Sequence, residues 1–160
     1  MSAAEVLNPQ PRLADEHDQI AEWITHMRAA SDFLYGEAGP SRIRRLAAFY
    51  ERKVRPHFRY EEEQLFPALR RIDPDPELHD RLANFEREHD RLLEDLDQLI
   101  SSLRAIAEGS MGGPELVRTS RQSRLTIDLL LLHAAQEDDV LLPLLERYEQ
   151  EIQRELSAQV

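Results

Sequence analysis

Apolar residues recur at steps of three and four along four long segments of this 160-residue chain. That spacing places the apolar residues on one face of an α-helix, and no segment alternates apolar and polar residues as a strand does. Clusters rich in glycine and proline separate the four segments, at Gly36–Pro40, Asp73–Pro76 and Gly109–Pro114. Four helices joined by short connections predict an all-α, up-down-up-down antiparallel four-helix bundle.

The predicted bundle occupies nearly the whole chain. The two prolines of Asn8-Pro9-Gln10-Pro11 are unfavourable inside a helix. We therefore expect residues 1–11 to form an extended N-terminal arm and residues 12–158 to form one domain.

Charge and composition argue against several classes of function. The chain has 20 basic and 31 acidic residues, and its formal net charge of -11 argues against nucleic acid or an anionic membrane as the main partner. No apolar run approaches the length of a membrane span, and Met1–Arg12 lacks the apolar core of a signal peptide, so we expect a cytoplasmic protein. Because there is no cysteine, a metal site would need histidine and carboxylate ligands.

Six ionisable residues lie on the core-facing stripes of the predicted helices. They are His17, His57, Glu61, His89, His133 and Glu137. Burying such side chains is costly unless a partner satisfies them. The other two histidines lie elsewhere: His26 is roughly half a turn from the face of His17, and His79 is at a helix start. We expect both of these to face solvent.

The sequence around the six residues is repeated. Glu16-His17-Asp18 recurs as Glu88-His89-Asp90, and His57-x-x-x-Glu61 recurs as His133-x-x-x-Glu137. A duplicated helical hairpin is the simplest explanation. The two residues of each His-x-x-x-Glu motif lie one turn apart on the same helix face, so each half supplies one lone histidine and one His–Glu pair.

The positions of the connections place the four histidines at one height. In an antiparallel hairpin, two residues are level when the connection lies midway between them. The midpoint of each consecutive histidine pair falls within one of the three glycine- and proline-rich clusters. Four imidazoles and two carboxylates in one layer predict a site for two first-row transition-metal ions, because imidazole selects Fe, Mn, Zn or Cu over Ca or Mg.

This pattern resembles the hemerythrin-like, or HHE cation-binding, domains, over about residues 12 to 150. In that family, helices 1 and 3 each carry one histidine and helices 2 and 4 each carry His-x-x-x-Glu, often followed by a run such as Leu65-Phe66-Pro67. The resemblance implies a non-haem centre of two iron ions with an oxo or hydroxo bridge. It also implies that one iron is bound by His17 and His57, the other by His89 and His133, and that Glu61 and Glu137 bridge them.

One position departs from the oxygen-carrying hemerythrins, which have a fifth histidine four residues from the lone histidine of helix 3. Phe85 and Leu93 occupy the positions four residues either side of His89, so one iron lacks a nitrogen donor. The replacements that we consider are water, Glu62, Glu86, Tyr50 and Tyr60. Fewer nitrogen donors favour reaction with peroxide, O₂ or NO over reversible O₂ storage.

Three functions compete. The first is a di-iron protein that reacts with a small diffusible ligand, H₂O₂, O₂ or NO, and detoxifies peroxide by a catalase-like or peroxidase-like activity. The second is a non-enzymatic module that senses or stores O₂, NO or iron and signals to a protein partner that the sequence does not identify. The third, a metal-free interaction domain, leaves six inward polar residues unexplained. We favour the first.

Two further charged patterns are expected to be solvated helix surfaces. They are the arginine stripes, Arg42, Arg44 and Arg45 and then Arg118, Arg121 and Arg124, and the acidic stretch Glu146–Glu155.

Overall fold

The computed structural model describes residue 13 and residues 15–22, 39–110 and 113–158, and these residues form helices and short connections without any strand. The predicted N-terminal arm, His26 and part of the first and third glycine- and proline-rich clusters lie outside the described residues. None of the described helices is long and apolar enough to cross a membrane.

The described part of the chain contains five helices. Helix α1 covers residues 15–22. Helix α2 consists of the α-helical stretches Gly39–Phe49, Arg55–Tyr60 and Phe66–Ile72, joined by the π-helical turns Tyr50–Val54 and Glu61–Leu65. The others are α3 (Pro76–Ala107), α4 (Gly113–Arg147) and α5 (Glu149–Ser157).

The two π-helical turns of α2 precede its internal prolines. The backbone N–H of Arg55 donates to the carbonyl of Tyr50, and that of Phe66 donates to the carbonyl of Glu61, each five residues back. Proline has no N–H for the usual bond to the residue four positions back, so the helix widens just before Pro56 and Pro67. The second wide turn begins at Glu61, one of the six residues singled out by the sequence.

Helices α2, α3 and α4 run antiparallel to one another in sequence order and bury two apolar cores. In the first core, Tyr50 and Val54 from the first half of α2 pack with Leu99 and Leu103 from the second half of α3. In the second core, the end of α2 packs with the start of α3 and with residues 141–156. This arrangement confirms the predicted all-α helical bundle.

The connections use the residues that the sequence pattern predicts. Asp75 caps α3, because its Oδ1 accepts the N–H of Glu77 at 3.1 Å. Gly109 ends α3 with a φ of 74°, a left-handed conformation that favours glycine. The N–H of Ser110 then donates to the carbonyl of Ala105 at 3.0 Å, which completes a Schellman motif.

The chain after α4 adds a fifth helix to the four that the sequence predicts, within the acidic stretch expected to be a solvated helix surface. Tyr148, with φ −113° and ψ 24°, interrupts the helix, and α5 folds back against the end of α2 and against α4. Ile152 and Leu156 are buried in the second core, whereas Glu149 and Glu151 are exposed. The stretch is therefore solvated on one face only.

Candidate metal centre

Four imidazoles and two carboxylates meet in a layer between the two apolar cores. Each of the six side chains is at most 4% exposed, and they are the six on the predicted core-facing stripes: His17, His57, Glu61, His89, His133 and Glu137. The lone histidines come from α1 and α3, and the His-x-x-x-Glu motifs come from α2 and α4. The structure thus brings together all six residues that the sequence predicts.

The first half of the site contains His17, His57, Glu61 and Glu137, whose donor atoms all lie within 4.8 Å of one another. The Nε2 atoms of His17 and His57 are 2.9 Å apart. Glu61 Oε1 is 3.3 Å from His57 Nε2, and Glu137 Oε2 is 3.6 Å from His17 Nε2.

The second half contains His89, His133 and Glu137, again with donor atoms within 4.8 Å of one another. Glu137 Oε1 is 3.2 Å from His89 Nε2, and its Oε2 is 3.3 Å from His133 Nε2. Glu61 Oε2 is 3.5 Å from His89 Nε2. Each glutamate therefore reaches imidazoles of both halves.

The donor atoms of this layer fit a metal. Within the described part of the chain, both oxygens of Glu61 and Glu137 and the Nε2 atoms of His89 and His133 are buried without a hydrogen-bond partner. Each such atom costs about 1–3 kcal/mol when nothing satisfies it. The 2.9 Å between the Nε2 atoms of His17 and His57 is close to the roughly 3 Å expected for two nitrogens at right angles on one ion. Imidazole nitrogen with carboxylate oxygen suits a first-row transition metal.

The protein alone compensates for this concentration of acidic groups through protonation. Burial raises the pKa of Glu61 well above its ordinary value, and the nearby Glu137 carboxylate raises it further. Burial opposes ionisation of Glu137 as well, but the imidazoles of His133 and His89 outweigh it and lower the pKa of Glu137 to about 2. Burial lowers the pKa of His57. Burial acts in the same direction on His133, but Glu137 and Glu88 outweigh it and raise its pKa.

Each of the four imidazoles also donates its Nδ1–H to a carboxylate outside the cluster. The pairs are His17 with Asp138 at 2.7 Å, His57 with Glu16 at 2.7 Å, His89 with Glu62 at 2.9 Å and His133 with Glu88 at 2.8 Å. We call these four acidic residues the carboxylate ring. Such bonds fix the ring orientation and leave the Nε2 lone pair facing the interior, ready for a metal.

The carboxylate ring links the four bundle helices in a closed cycle. Glu16 of α1 binds the histidine of α2, and Glu62 of α2 binds the histidine of α3. Glu88 of α3 binds the histidine of α4, and Asp138 of α4 binds the histidine of α1, which closes the cycle. Sequence reasoning assigned this role to none of them. The available signal was an acidic residue beside a site residue at equivalent positions of both halves.

Four residues were candidates for the missing fifth donor, and in the structure each of them has another partner or lies in one of the apolar cores. Glu62 holds Nδ1 of His89, and Glu86 makes a two-pronged ion pair with Arg70 at 2.8 Å. Tyr50 is buried in the first core, where burial raises its pKa, and Tyr60 is buried in the second core. Neither Glu62 nor Glu86 is among the clustered donor atoms of the described residues.

Three phenylalanines line the second half of the site. Phe58 stacks on His89 with ring centroids 4.0 Å apart, Phe66 lies 5.9 Å from the same ring, and Phe85 meets His133 edge-on at 5.8 Å. Phe85 also lines a shallow surface groove between α3 and α4, together with Glu88. The aromatic ring of Phe85 therefore lies between solvent and the second half of the site.

His79 corrects a smaller expectation. It is half-buried rather than solvent-facing, and its Nε2 donates to the carbonyl of Asp73 at 2.8 Å. It therefore braces the α2–α3 connection and lies apart from the metal-binding layer.

Comparison with known proteins agrees with this geometry. The family model described as Hemerythrin HHE cation binding domain matches residues 8–145, which include all six clustered side chains. No curated protein and no solved structure gives a significant match. Since the family model covers most of the chain, the protein belongs to the hemerythrin HHE cation-binding domain family.

Proposed function

We propose that the protein is a non-haem di-iron protein that reacts with small oxidants, with hydrogen peroxide as its main substrate. His17 and His57 bind one iron, His89 and His133 bind the other, and Glu61 and Glu137 bridge the two. The observation that carries this proposal is that each buried glutamate reaches imidazoles of both halves while its oxygens have no hydrogen-bond partner in the described part of the chain.

The protein's own residues position the centre and control access to it. The carboxylate ring holds each imidazole by Nδ1, so that the ligand atoms are oriented before any ion arrives. Phe58, Phe66 and Phe85 exclude water from the second half. Iron held by these residues would supply the redox chemistry, by donating electrons where the ligand is reduced and accepting them where it is oxidised.

The second half is the favoured place for the substrate. Phe85 replaces the fifth histidine and contributes no donor atom, so iron held by His89 and His133 would have room for an exchangeable ligand. The same phenylalanine separates the centre from the groove between α3 and α4. A small neutral molecule such as H₂O₂, O₂ or NO passes an apolar ring more readily than an ion does.

We also propose that residues 12–158 form the functional domain, because its core includes both ends of that range. Leu13 and Leu156 are both buried in the second core. A shorter domain without α5 would leave the apolar residues of that core exposed.

The test is aerobic purification from iron-replete medium, metal analysis and an optical spectrum, followed by titration with peroxide and NO. We expect about two iron ions per chain, near-ultraviolet bands of a bridged ferric pair, and turnover of added peroxide. Less than about half an iron per chain, with no other transition metal present, would contradict the metal assignment.

A non-enzymatic sensing or storage role is the alternative, and the depth of the site favours it. All six donors are at most 4% exposed, and His89 lies under two aromatic rings. If the iron-loaded protein gives the same spectrum before and after peroxide, NO and azide, the centre is closed. The reactive role would then be wrong, although metal binding would stand.

A further inference from the structure

Helix α4 carries an unusual amount of apolar surface. The exposed large apolar side chains of the described residues all lie on this helix: Val117 at 44%, Leu125 at 64%, Leu129 at 46% and Leu132 at 55%. A scattered exposed leucine needs no explanation, but three on one helix face form a patch of the kind that mediates association.

The three leucines belong to a longer stripe along α4. At about 100° per residue, they fall within about 60° of arc. Two arginines continue the stripe toward the start of the helix, and a glutamine and an aspartate continue it toward the end. We call the exposed residues Arg118, Arg121, Leu125, Leu129, Leu132, Gln136 and Asp139 the α4 stripe.

The order of residues along the α4 stripe is self-complementary. It runs from basic through apolar to acidic or amide, so a second copy placed antiparallel matches each end with its opposite. With a two-fold axis beside Leu129, Arg118 faces Asp139 of the other copy and Arg121 faces Gln136. The leucines then meet in the middle, and the Arg118–Asp139 ion pair and the Arg121–Gln136 hydrogen bond each occur twice by symmetry.

We propose that the α4 stripe is the interface of a homodimer in which the α4 helices of two copies pack antiparallel about a two-fold axis beside Leu129. The formal net charge of -11 makes approach of two copies unfavourable on most faces. The α4 stripe is an exception, because its arginines lie opposite the acidic end of the same stripe. The side chain of Arg118 is 72% exposed, and its only described ion pair is with Glu115 one turn away, so it can reach a partner.

The interface borders the groove over the metal-binding layer. Gln136 and Asp139 belong to the α4 stripe and also line the groove closed by Phe85. Dimer formation therefore places Arg118 of the second copy at the rim of that groove. The dimer does not depend on bound iron, so its failure and the failure of the proposed function are separate results.

The first test is sedimentation equilibrium over a range of protein concentrations. We expect a monomer–dimer equilibrium for the wild type. Leu129→Glu should shift it to monomer, because two carboxylates would face each other at the axis. Val117→Glu is the matched control, since Val117 is exposed on the same helix but roughly 80° from the centre of the stripe. Circular dichroism checks that both variants remain folded.

A charge-reversal pair tests the antiparallel register. Arg118→Asp should weaken the dimer at least about tenfold, since it would face Asp139 of the other copy. Combining it with Asp139→Arg in the same chain should restore the dimer. Failure of the double variant to recover would overturn the register that we propose.

The absence of cysteine allows a third test with introduced thiols. With diamide as the oxidant, Leu129→Cys should form a disulfide with its own copy. Leu125→Cys should do so slowly alone but quickly when mixed with Leu132→Cys, because these two positions face each other. Equal self-cross-linking at positions 125 and 129 would overturn the proposal.

A monomeric wild type at every concentration would overturn it as well. Deletion of residues 1–12 then identifies another occupant. If that deletion makes the α4 stripe accessible to a hydrophobic dye, the stripe is covered by the chain's own N-terminal segment and the dimer is wrong.

Discussion

Glu16 directly precedes His17, but its carboxylate accepts the Nδ1–H of His57 on the next helix at 2.7 Å. The equivalent pair in the second half is Glu88 with His133 at 2.8 Å. Each acidic residue thus orients a histidine of a neighbouring helix, and the position of any imidazole depends on two helices. The carboxylate ring therefore couples the packing of the bundle to the geometry of the metal-binding layer.

Replacing one member of the carboxylate ring should weaken metal binding without removing a ligand. Glu62→Gln keeps the size of the side chain but loses the charge that holds Nδ1 of His89. We expect metal affinity to fall about 10–100-fold, measured by competition with a chelator.

The control for this change is the adjacent residue. Glu63 is 66% exposed, and its described ion pair is with Arg59 on the same helix, so Glu63→Gln should leave metal affinity unchanged. Equal affinities for the two variants would show that the charge on Glu62 does not support His89.

Removing a glutamate from the layer should empty both halves together. Glu61→Ala and Glu137→Ala each remove a carboxylate that reaches imidazoles of both halves, so we expect metal analysis to show loss of both ions. His79→Ala should retain them, because His79 bonds to the carbonyl of Asp73. We expect the same of His26→Ala, whose position lies outside the described residues. Glutamate variants that keep two ions would contradict the bridging assignment.

The sequence predicts the helices and the six clustered residues because both depend on spacing along one helix. Polar residues at core positions, repeated in two halves, are visible without knowledge of how the helices pack. The hydrogen bond from His57 to Glu16 is different, since it joins helices and depends on the packed distance between them. Helix α5 is missed for a related reason: its two buried residues, Ile152 and Leu156, lie among charged residues, and only folding back onto α2 buries them.

Truncating the apolar face of α5 should destabilise the whole domain. Leu156 is 6% exposed in the second core, so Leu156→Ala should lower the free energy of unfolding by about 2–3 kcal/mol. Ser157→Ala is the control, because Ser157 is exposed and its hydroxyl bonds within its own helix. Denaturant unfolding that does not separate the two variants would mean that α5 does not contribute to the core.

The junction between α4 and α5 should confer a pH-dependent stability. The Tyr148 hydroxyl donates to Asp73 Oδ2 at 2.8 Å, and this bond, with a second from the Asp75 backbone, lowers the pKa of Asp73 below its ordinary value. A carboxyl whose pKa is lower in the folded state stabilises the fold above its unfolded pKa, and this contribution is lost as pH falls through the folded value.

Tyr148→Phe should therefore lower the unfolding midpoint at neutral pH, and the difference from wild type should shrink in acid. Unfolding curves of the variant and the wild type, recorded at neutral and at acidic pH, measure this difference in midpoint. A difference that stays constant with pH would assign the effect to packing of the tyrosine ring instead.

Restoring a fifth histidine should change the reactivity of the second half. Phe85 lies one turn before His89 on α3, with its ring 5.8 Å from that of His133, so Phe85→His adds an imidazole on the side of the second iron. An added nitrogen donor fills the site that we assign to the exchangeable ligand. We expect the variant to bind O₂ more stably, turn over peroxide more slowly and show a smaller azide-induced change in its spectrum.

Phe85→Leu separates this effect from loss of the aromatic ring, because leucine opens the wall between groove and site without adding a donor. It should keep the azide response and turn over peroxide at least as fast as the wild type. If both variants slow peroxide turnover equally, the ring of Phe85 matters for packing, and the exchangeable site lies elsewhere in the layer.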